Sequence, residues 1–399
     1  MKKHHLVIIG GGFAGLRLTR KLRKSKNIKI TLITDSTTFR YSPALYRSAT
    51  GFKMRESIIP IVTITKNYAN LRLITQKATK VNRTNKTVST ADGKSHSYDS
   101  LVICTGVVTS YFGIPGLEDL SFSIKTPEGL EKLKTHLHKT LNDTGNPDAN
   151  YVVVGGGPTG VELSAALIKY LKYICKKHKT KKHTVNIELV EAAPRLLPVL
   201  SERASDLTAK RLRKLGIKLL IGQTVKAETP ESLTLAERSI PSHTVIWTAG
   251  VTNNPFFKQN KDQFNLNERG KAIVDEHLQV DENTYVIGDN AATKYGGLAL
   301  TAIRDANFVH KNIIKSIKNR KTKPYVQKKP ISVVPAGESW SILQYDKFVI
   351  SGIIPSILRS LADLVGYADI MGIKIAISVW LSKSLHEETC PACKVSLFY

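Results

Sequence analysis

"HLVIIGGGFAGLRLTRKL" (residues 5–22) passes from a short apolar run through three glycines into a stretch with helical periodicity. Gly10, Gly12 and Gly15 fit the spacing G-x-G-x-x-G. At that spacing the first glycine permits a tight turn, the second lets the backbone approach a pyrophosphate, and the third allows a helix to pack closely on a strand. Alone the pattern is weak. A second apolar strand, "IKITLIT" (28–34), follows the helix and leads into Asp35, 20 residues after Gly15. A carboxylate there accepts hydrogen bonds from a ribose. The opening therefore reads as a strand–helix–strand unit that binds a dinucleotide, with Phe13 and Ala14 at the phosphate end of its helix.

The pattern recurs. "YVVVGGGPTGVELSAALIKYL" (151–171) supplies Gly155, Gly157 and Gly160, with Pro158 and Thr159 between them, and "VNIELVE" (185–191) ends at Glu191. The longer gap is filled by a lysine-rich insertion, 176–183. Glu191 repels an added 2′-phosphate, so NADH is expected over NADPH, although Arg195 close by works against that preference. Two dinucleotide folds in one chain imply two dinucleotides that meet, a resident flavin and a visiting nicotinamide. "YDSLVICTGV" (98–107) and "HTVIWTAGV" (243–251) end in small-residue turns suited to crossing between domains. "TYVIGDNAA" (284–292) sets Gly288 and Asp289 at a strand end, placed for a ribityl hydroxyl or phosphate, or for capping the next helix. The expected fold is α/β, with two Rossmann-like dinucleotide-binding domains. An FAD-binding domain spans 1–118 and 275–330, an NADH-binding domain spans 119–274, and a C-terminal amphipathic membrane-associating or dimer segment spans 331–399.

The ordered segments GGGFAG, SPALYRSATG, CTG, GGGPTGVE, WTAGV and IGDNAA resemble the type II NADH dehydrogenases, single-subunit non-pumping NADH:quinone oxidoreductases among the two-dinucleotide-binding-domain flavoproteins. The resemblance covers essentially the whole chain. It implies FAD contacts at Gly10, Gly12, Phe13, Ala14, Gly15, Asp35, Ala78, Thr105, Gly106, Gly288, Asp289 and Leu300. It implies NADH contacts at Gly155, Gly157, Pro158, Thr159, Gly160, Glu162, Glu191, Ala249 and Gly250. Glu162 would serve as the catalytic carboxyl on the nicotinamide side. Tyr46, Ala299, Leu300, Ile303 and Arg304 would line the path of a membrane quinone. One stretch departs from the family's Ala-Gln-x-Ala-x-Gln-Gln: in "ALTAIRDANFVHKNI" (299–313), Leu300, Arg304 and Asp305 replace glutamines. Arg304 then either substitutes as a donor or pairs with Asp305 or a neighbour.

The electron acceptor follows from what is missing. Flavoproteins that reduce disulfides place a cysteine pair near "FRYSPALYRSATG" (39–51), and here there is none. Cys104 reads as a small core residue and Cys175 as incidental. Cys390-Pro-Ala-Cys393 reads as a redox pair, as half of a zinc site with His386, or as neither; no metal ligand is assigned. The 59 Lys plus Arg against 32 Asp plus Glu give a net charge of +27, which favours an anionic partner. Basic clusters at 17–29, 172–183 and 315–329 suit an acidic lipid surface or simple solvation; aromatics are scarce among them, which argues against nucleic acid. "FVISGIIPSILRSLADLVGYADIMGIKIAISVWLSK" (348–383) is densely apolar, but its longest uncharged run, 348–358, is short of the ~18 residues that span a bilayer. It reads as helices lying in the membrane interface, or as a core or dimer pair. With no signal sequence before the first strand, the expectation is a homodimer on the cytoplasmic face of the cell membrane. The rival readings are a soluble NADH-dependent reductase working through the tail cysteines or a protein acceptor, a sulfide:quinone oxidoreductase, and a nucleotide-sensing flavoprotein that binds nucleic acid.

Overall fold

The computed structural model describes residues 3–142, 150–178 and 185–382. The opening apolar run, His4–Ile9, is a central strand of a six-stranded sheet. It pairs in parallel with Ile28–Thr34 on one side and Ser100–Ile103 on the other. Leu71–Thr75 extends one edge; Thr284–Val286 and Gln279–Asp281 extend the other. Both faces are covered, which explains why the strand is continuously apolar. Leu6 and Ile8 pack with the helix Phe13–Leu22, while Val7 and Ile9 pack with Val81, Val88 and Phe256 on the opposite face.

The second glycine motif repeats this construction in a parallel four-stranded sheet, ordered Lys218–Ile221, Asn186–Glu191, Asn150–Val154, Thr244–Trp247. Val153 faces the helix Pro158–Lys177 side; Val152 and Val154 face Leu233, Ile240 and Trp247. An antiparallel ribbon joins the two units, Val107–Thr109 against Val251–Asn253. Trp247 donates its indole N–H to the Ser110 carbonyl at 2.9 Å, bracing the ribbon.

Core packing moves the domain limits expected at 118 and 275. Leu117 already belongs to the core of the second unit. On the return, Phe256, Phe257, Phe264 and Ala272 pack against Val7, Ile9 and Leu101 of the first. The chain thus crosses at the ribbon, and residues 254–274 rejoin the first unit about 20 residues earlier than the motifs suggested. Those residues carry no nucleotide motif, so only their burial assigns them.

The C-terminal region binds to both units. A three-stranded antiparallel sheet, Ser332–Pro335, Ser341–Tyr345 and Phe348–Gly352, puts Val334, Ile342 and Val349 into the second unit's core. The helices Ile353–Met371 and Ile373–Leu381 put Tyr367, Ile370, Met371 and Ala376 into the first unit's core. Their opposite face leaves Ile354, Ile357, Leu361, Val365, Ile373 and Ile377 exposed. No helix among the described residues is long and apolar enough to cross a membrane. Cys390, Cys393 and His386 lie outside the described residues.

Asn260 tests the revised crossing. It is buried; its side-chain oxygen accepts the Val81 N–H at 2.9 Å and its amide donates to the Thr79 and Phe256 carbonyls at 3.1 and 2.8 Å. Asn260→Ala takes this partner from the Val81 N–H and the Thr79 carbonyl, at about 1–3 kcal/mol for each left buried and unpaired, whereas the Phe256 carbonyl keeps the backbone N–H at position 260. The expected result in denaturant melts is a lowered midpoint for the first unit; a melt indistinguishable from wild type would return residues 254–274 to the second.

Candidate functional site

Each glycine turn leaves space at the start of a helix. Gly10 adopts φ +116°, and a Cβ there would collide with the Cys104 carbonyl. A Cβ on Gly15 would run into the Gly10 carbonyl, so helix and strand touch backbone to backbone. Gly12 differs: nothing lies within 4 Å of a Cβ built on it, and as N-cap of Phe13–Leu22 it offers no side-chain cap. The N–H groups of Phe13 and Ala14 open the helix beside this space, a ready anion cradle. Gly155, Gly157 and Gly160 reproduce the arrangement: Gly160 abuts the Gly155 carbonyl, Gly157 faces open space, and Pro158 and Thr159 begin the helix. The cradles fit pyrophosphates.

The strand-end carboxylates differ. Asp35 is exposed just past Ile28–Thr34. Glu191 is fixed: Oε2 accepts the Gly156 N–H at 2.5 Å and Oε1 the Ala193 N–H at 2.7 Å. Arg195 instead donates to the Leu200 and Pro198 carbonyls at 2.7 and 2.9 Å. That removes the expected interference with Glu191.

The middle of the first unit is tied by a residue the motifs did not single out. Buried Asn290 donates to the Gly106 carbonyl at 2.7 Å and accepts from the Gly106 N–H at 2.9 Å and the Thr105 hydroxyl at 3.2 Å. The Thr105-Gly106 turn is thereby joined to the Gly288-Asp289 turn. Gly288 in turn donates its N–H to Asp305 at 3.0 Å, and Asp305 also accepts the Tyr325 hydroxyl at 2.6 Å. Burial, chiefly, holds the Asp305 carboxyl above its ordinary range. Asp289 accepts the Gly297 N–H at 2.8 Å. Ala302 and Ala14 both lie within 4 Å of a Cβ on Gly288, so Phe13–Leu22 and the helix Ala299–Ile317 converge on that turn. Ala78 is buried at the start of the strand Ala78–Asn82.

The residues assigned to the quinone are not all together. Ala299 and Leu300 open their helix, with Leu300 and Leu298 exposed. Ile303 is buried in the first unit's core. Arg304 donates to the Lys328 carbonyl at 2.9 Å rather than pairing with Asp305. Tyr46 sits elsewhere, its ring 5.4 Å beneath the Arg47 guanidinium.

Glu162 lies on the first turns of Pro158–Lys177 and is buried. Burial pushes its carboxyl up to about 7, against the pull of Arg359 and Arg47. Arg359 approaches only to 3.8 Å. Lys125, also missed by the motifs, points its ammonium at the Gly250 carbonyl 3.4 Å away, and burial with Arg40 pulls it down to about 8. Ala249 lies against Gly155, so the turn at 248–250 borders the second cradle. Cys104 is a core thiol, which burial pushes up to about 12. Among the described residues, no group of three or more His, Cys, Asp or Glu side chains is placed to hold a metal.

Residues 4–306 match the pyridine nucleotide-disulphide oxidoreductase family, and the chain belongs to it. It is an oxidoreductase that uses FAD and NADH. It is 28% identical over 334 residues to a type II NADH:quinone oxidoreductase of Staphylococcus haemolyticus, covering 79% of this chain and 82% of that one. It is 27% identical over 339 residues to the type II NADH:quinone oxidoreductase Ndh of Mycobacterium tuberculosis, covering 78% and 72%. The fold superimposes on NDH2 of Plasmodium falciparum in complex with NADH with a TM-score of 0.85 at 17% identity, covering 96% and 98%.

The two kinds of glycine separate in mutants. Gly15→Val is expected to abolish soluble expression, because its side chain meets backbone. Gly12→Val is expected to fold, by circular dichroism, yet purify without flavin colour. A fully yellow Gly12→Val protein would remove the cradle assignment.

Proposed function

We propose that the chain is a non-pumping NADH:quinone oxidoreductase, bound peripherally to the cytoplasmic face of the cell membrane and acting in a respiratory chain. The observation that carries this reading is the acceptor side of the first unit. Where a disulfide reductase presents cysteines, residues 43–51 present Tyr46 and Arg47 toward buried Glu162, and Cys104 is locked in the core. Both curated relatives cited above are named for this activity.

FAD, when bound, supplies two-electron chemistry, taking hydride from a nicotinamide and passing electrons to the acceptor. The protein's own part is placement. The N–H groups of Phe13 and Ala14 hold one pyrophosphate and those of Thr159 and Gly160 the other, Pro158 having none to offer. Asp35 and Glu191 receive ribose hydroxyls; Glu191, held by two backbone N–H groups, disfavours a 2′-phosphate. Thr105, Gly106, Gly288, Asp289 and Leu300, tied together in part through Asn290 and Asp305, frame the flavin, and Ala78 meets its adenine end. Ala249 and Gly250, with Lys125 behind them, border the nicotinamide. Quinone reduction consumes protons as well as electrons, and Glu162, with a carboxyl raised to about 7, holds one beside Tyr46. In this reading Ala299 and exposed Leu300, at the start of their helix, border the quinone path, while Ile303, in the core, and Arg304, spent on the Lys328 carbonyl, support that helix from behind. The units bounded by the ribbon are the FAD- and NADH-binding domains, and residues 331–382 form the membrane and dimer segment.

The exposed Ile354, Ile357, Leu361 and Val365 stripe supports membrane seating, and the surplus of 59 basic over 32 acidic residues adds attraction to anionic lipid. Two experiments check these assignments. In stopped flow, enzyme reduced anaerobically by NADH is mixed with a short-chain quinone. Reoxidation is expected to be fast and saturable, declining as pH rises through about 7 because Glu162 is protonated below that value and ionised above it. Glu162→Gln should flatten that profile; sluggish reoxidation at every pH would refute the acceptor. Separately, Ile357→Glu should lower flotation with anionic vesicles at least tenfold while leaving NADH oxidation by a soluble dye intact. Undiminished flotation would place the docking face elsewhere.

A further inference from the structure

Behind Glu162, three separate parts of the chain meet in a buried cluster of charge. Arg47 Nε lies 2.6 Å from Glu56 Oε1, and its Nη2 lies 3.1 Å from Asp363 Oδ2. Arg359 Nε lies 3.4 Å from Asp363 Oδ1, whereas its Nη2 stays 3.8 Å from Glu162 Oε1. The Tyr41 hydroxyl donates to Asp363 Oδ1 at 3.2 Å, and the Tyr367 hydroxyl donates to the Glu56 carbonyl at 2.8 Å. The side chains of Glu56, Asp363 and Glu162 are 0%, 3% and 9% exposed. Among the described residues, two guanidiniums therefore face three carboxylates, with Tyr41, Tyr46 and Tyr367 as the other titratable groups.

The carboxylates do not share the cations equally. Arg359 and Asp363 are four residues apart on one helix, so their pairing is built into the helix itself. The Arg359 terminal nitrogens are also committed, donating to the Val333 and Pro43 carbonyls at 3.2 and 2.9 Å. Arg47 is held between Glu56 and Asp363. Asp363 thus engages both arginines at once, and Glu162 is left with the longest contact.

We propose that Asp363 is a positioning residue for the acceptor half-reaction: it holds Arg359 and Arg47 off Glu162, so that this buried carboxyl keeps a proton that a closely paired glutamate would lose. The electrostatics agree in sign, since Arg359 and Arg47 lower the Glu162 proton affinity and Asp363 raises it, on top of the dominant effect of burial. The positioning role concerns Glu162 itself; its catalytic consequence rests on the proposed acceptor reading.

The test is infrared titration of the oxidised, flavin-loaded full chain. The protonated carboxyl stretch of Glu162 is assigned by its loss in Glu162→Gln and followed through the neutral range. Asp363→Asn, which removes the carboxylate that draws both guanidiniums and lets them turn to Glu162, is expected to move the midpoint down by one pH unit or more. Asp363→Glu, which retains the charge, should restore it, and Arg359→Gln should move it up. An unmoved midpoint in Asp363→Asn overturns the proposal. If that variant does not fold, a midpoint in Arg359→Gln that fails to rise overturns it equally. A shifted midpoint with an unshifted pH profile for quinone reoxidation supports the positioning role and removes Glu162 from the acceptor step.

Discussion

A carbonyl oxygen pressed against a helical glycine sets the geometry on which the rest depends. Gly10 against Gly15, and Gly155 against Gly160, bring a helix down onto a strand with no side chain between them. That closeness sets the start of each helix, with the free N–H groups of Phe13 and Ala14 in one and of Thr159 onward in the other, beside the open space at Gly12 and Gly157. It also aligns each strand end with an acidic residue, Asp35 or Glu191, one strand over. Two such units are joined by the antiparallel ribbon of residues 107–109 and 251–253.

The parts of the structure that repeat a local rule were legible in the sequence. Both glycine motifs, their flanking strands and the amphipathic C-terminal helices depend on short-range spacing, and each sits where spacing placed it. What escaped were the residues whose roles arise only on folding. Asn290 joins two turns from residues 184 positions apart, and Arg47 meets Asp363 across 316. Neither has a periodic signature. The domain limits slipped for the same reason, because Phe256 and Phe257 look like any apolar pair until their burial against Val7 and Ile9 is seen.

Arg304 shows how a residue change is read differently once its surroundings are known. In sequence it stands either as a donor replacing a glutamine or as a partner for Asp305 or a neighbour. In the fold it spends its guanidinium on the Lys328 carbonyl, and the neighbouring Asp305 buttresses the Gly288 turn. The change in this helix therefore ties it to residues 325–328 and to the Gly288 turn. In the proposed reading the acceptor side rests on Glu162 and the 41–56 segment, against which the C-terminal helix sets Arg359 and Asp363.

The central claim is that electrons leave the flavin for a quinone without passing through a thiol. Its most direct measurement is the anaerobic yield of quinol per NADH consumed, in protein with Cys104→Ala and serine at the three other cysteines. One quinol per NADH, at the wild-type rate, is the predicted result. NADH consumption without matching quinol, or a rate lost with the cysteines, would contradict it.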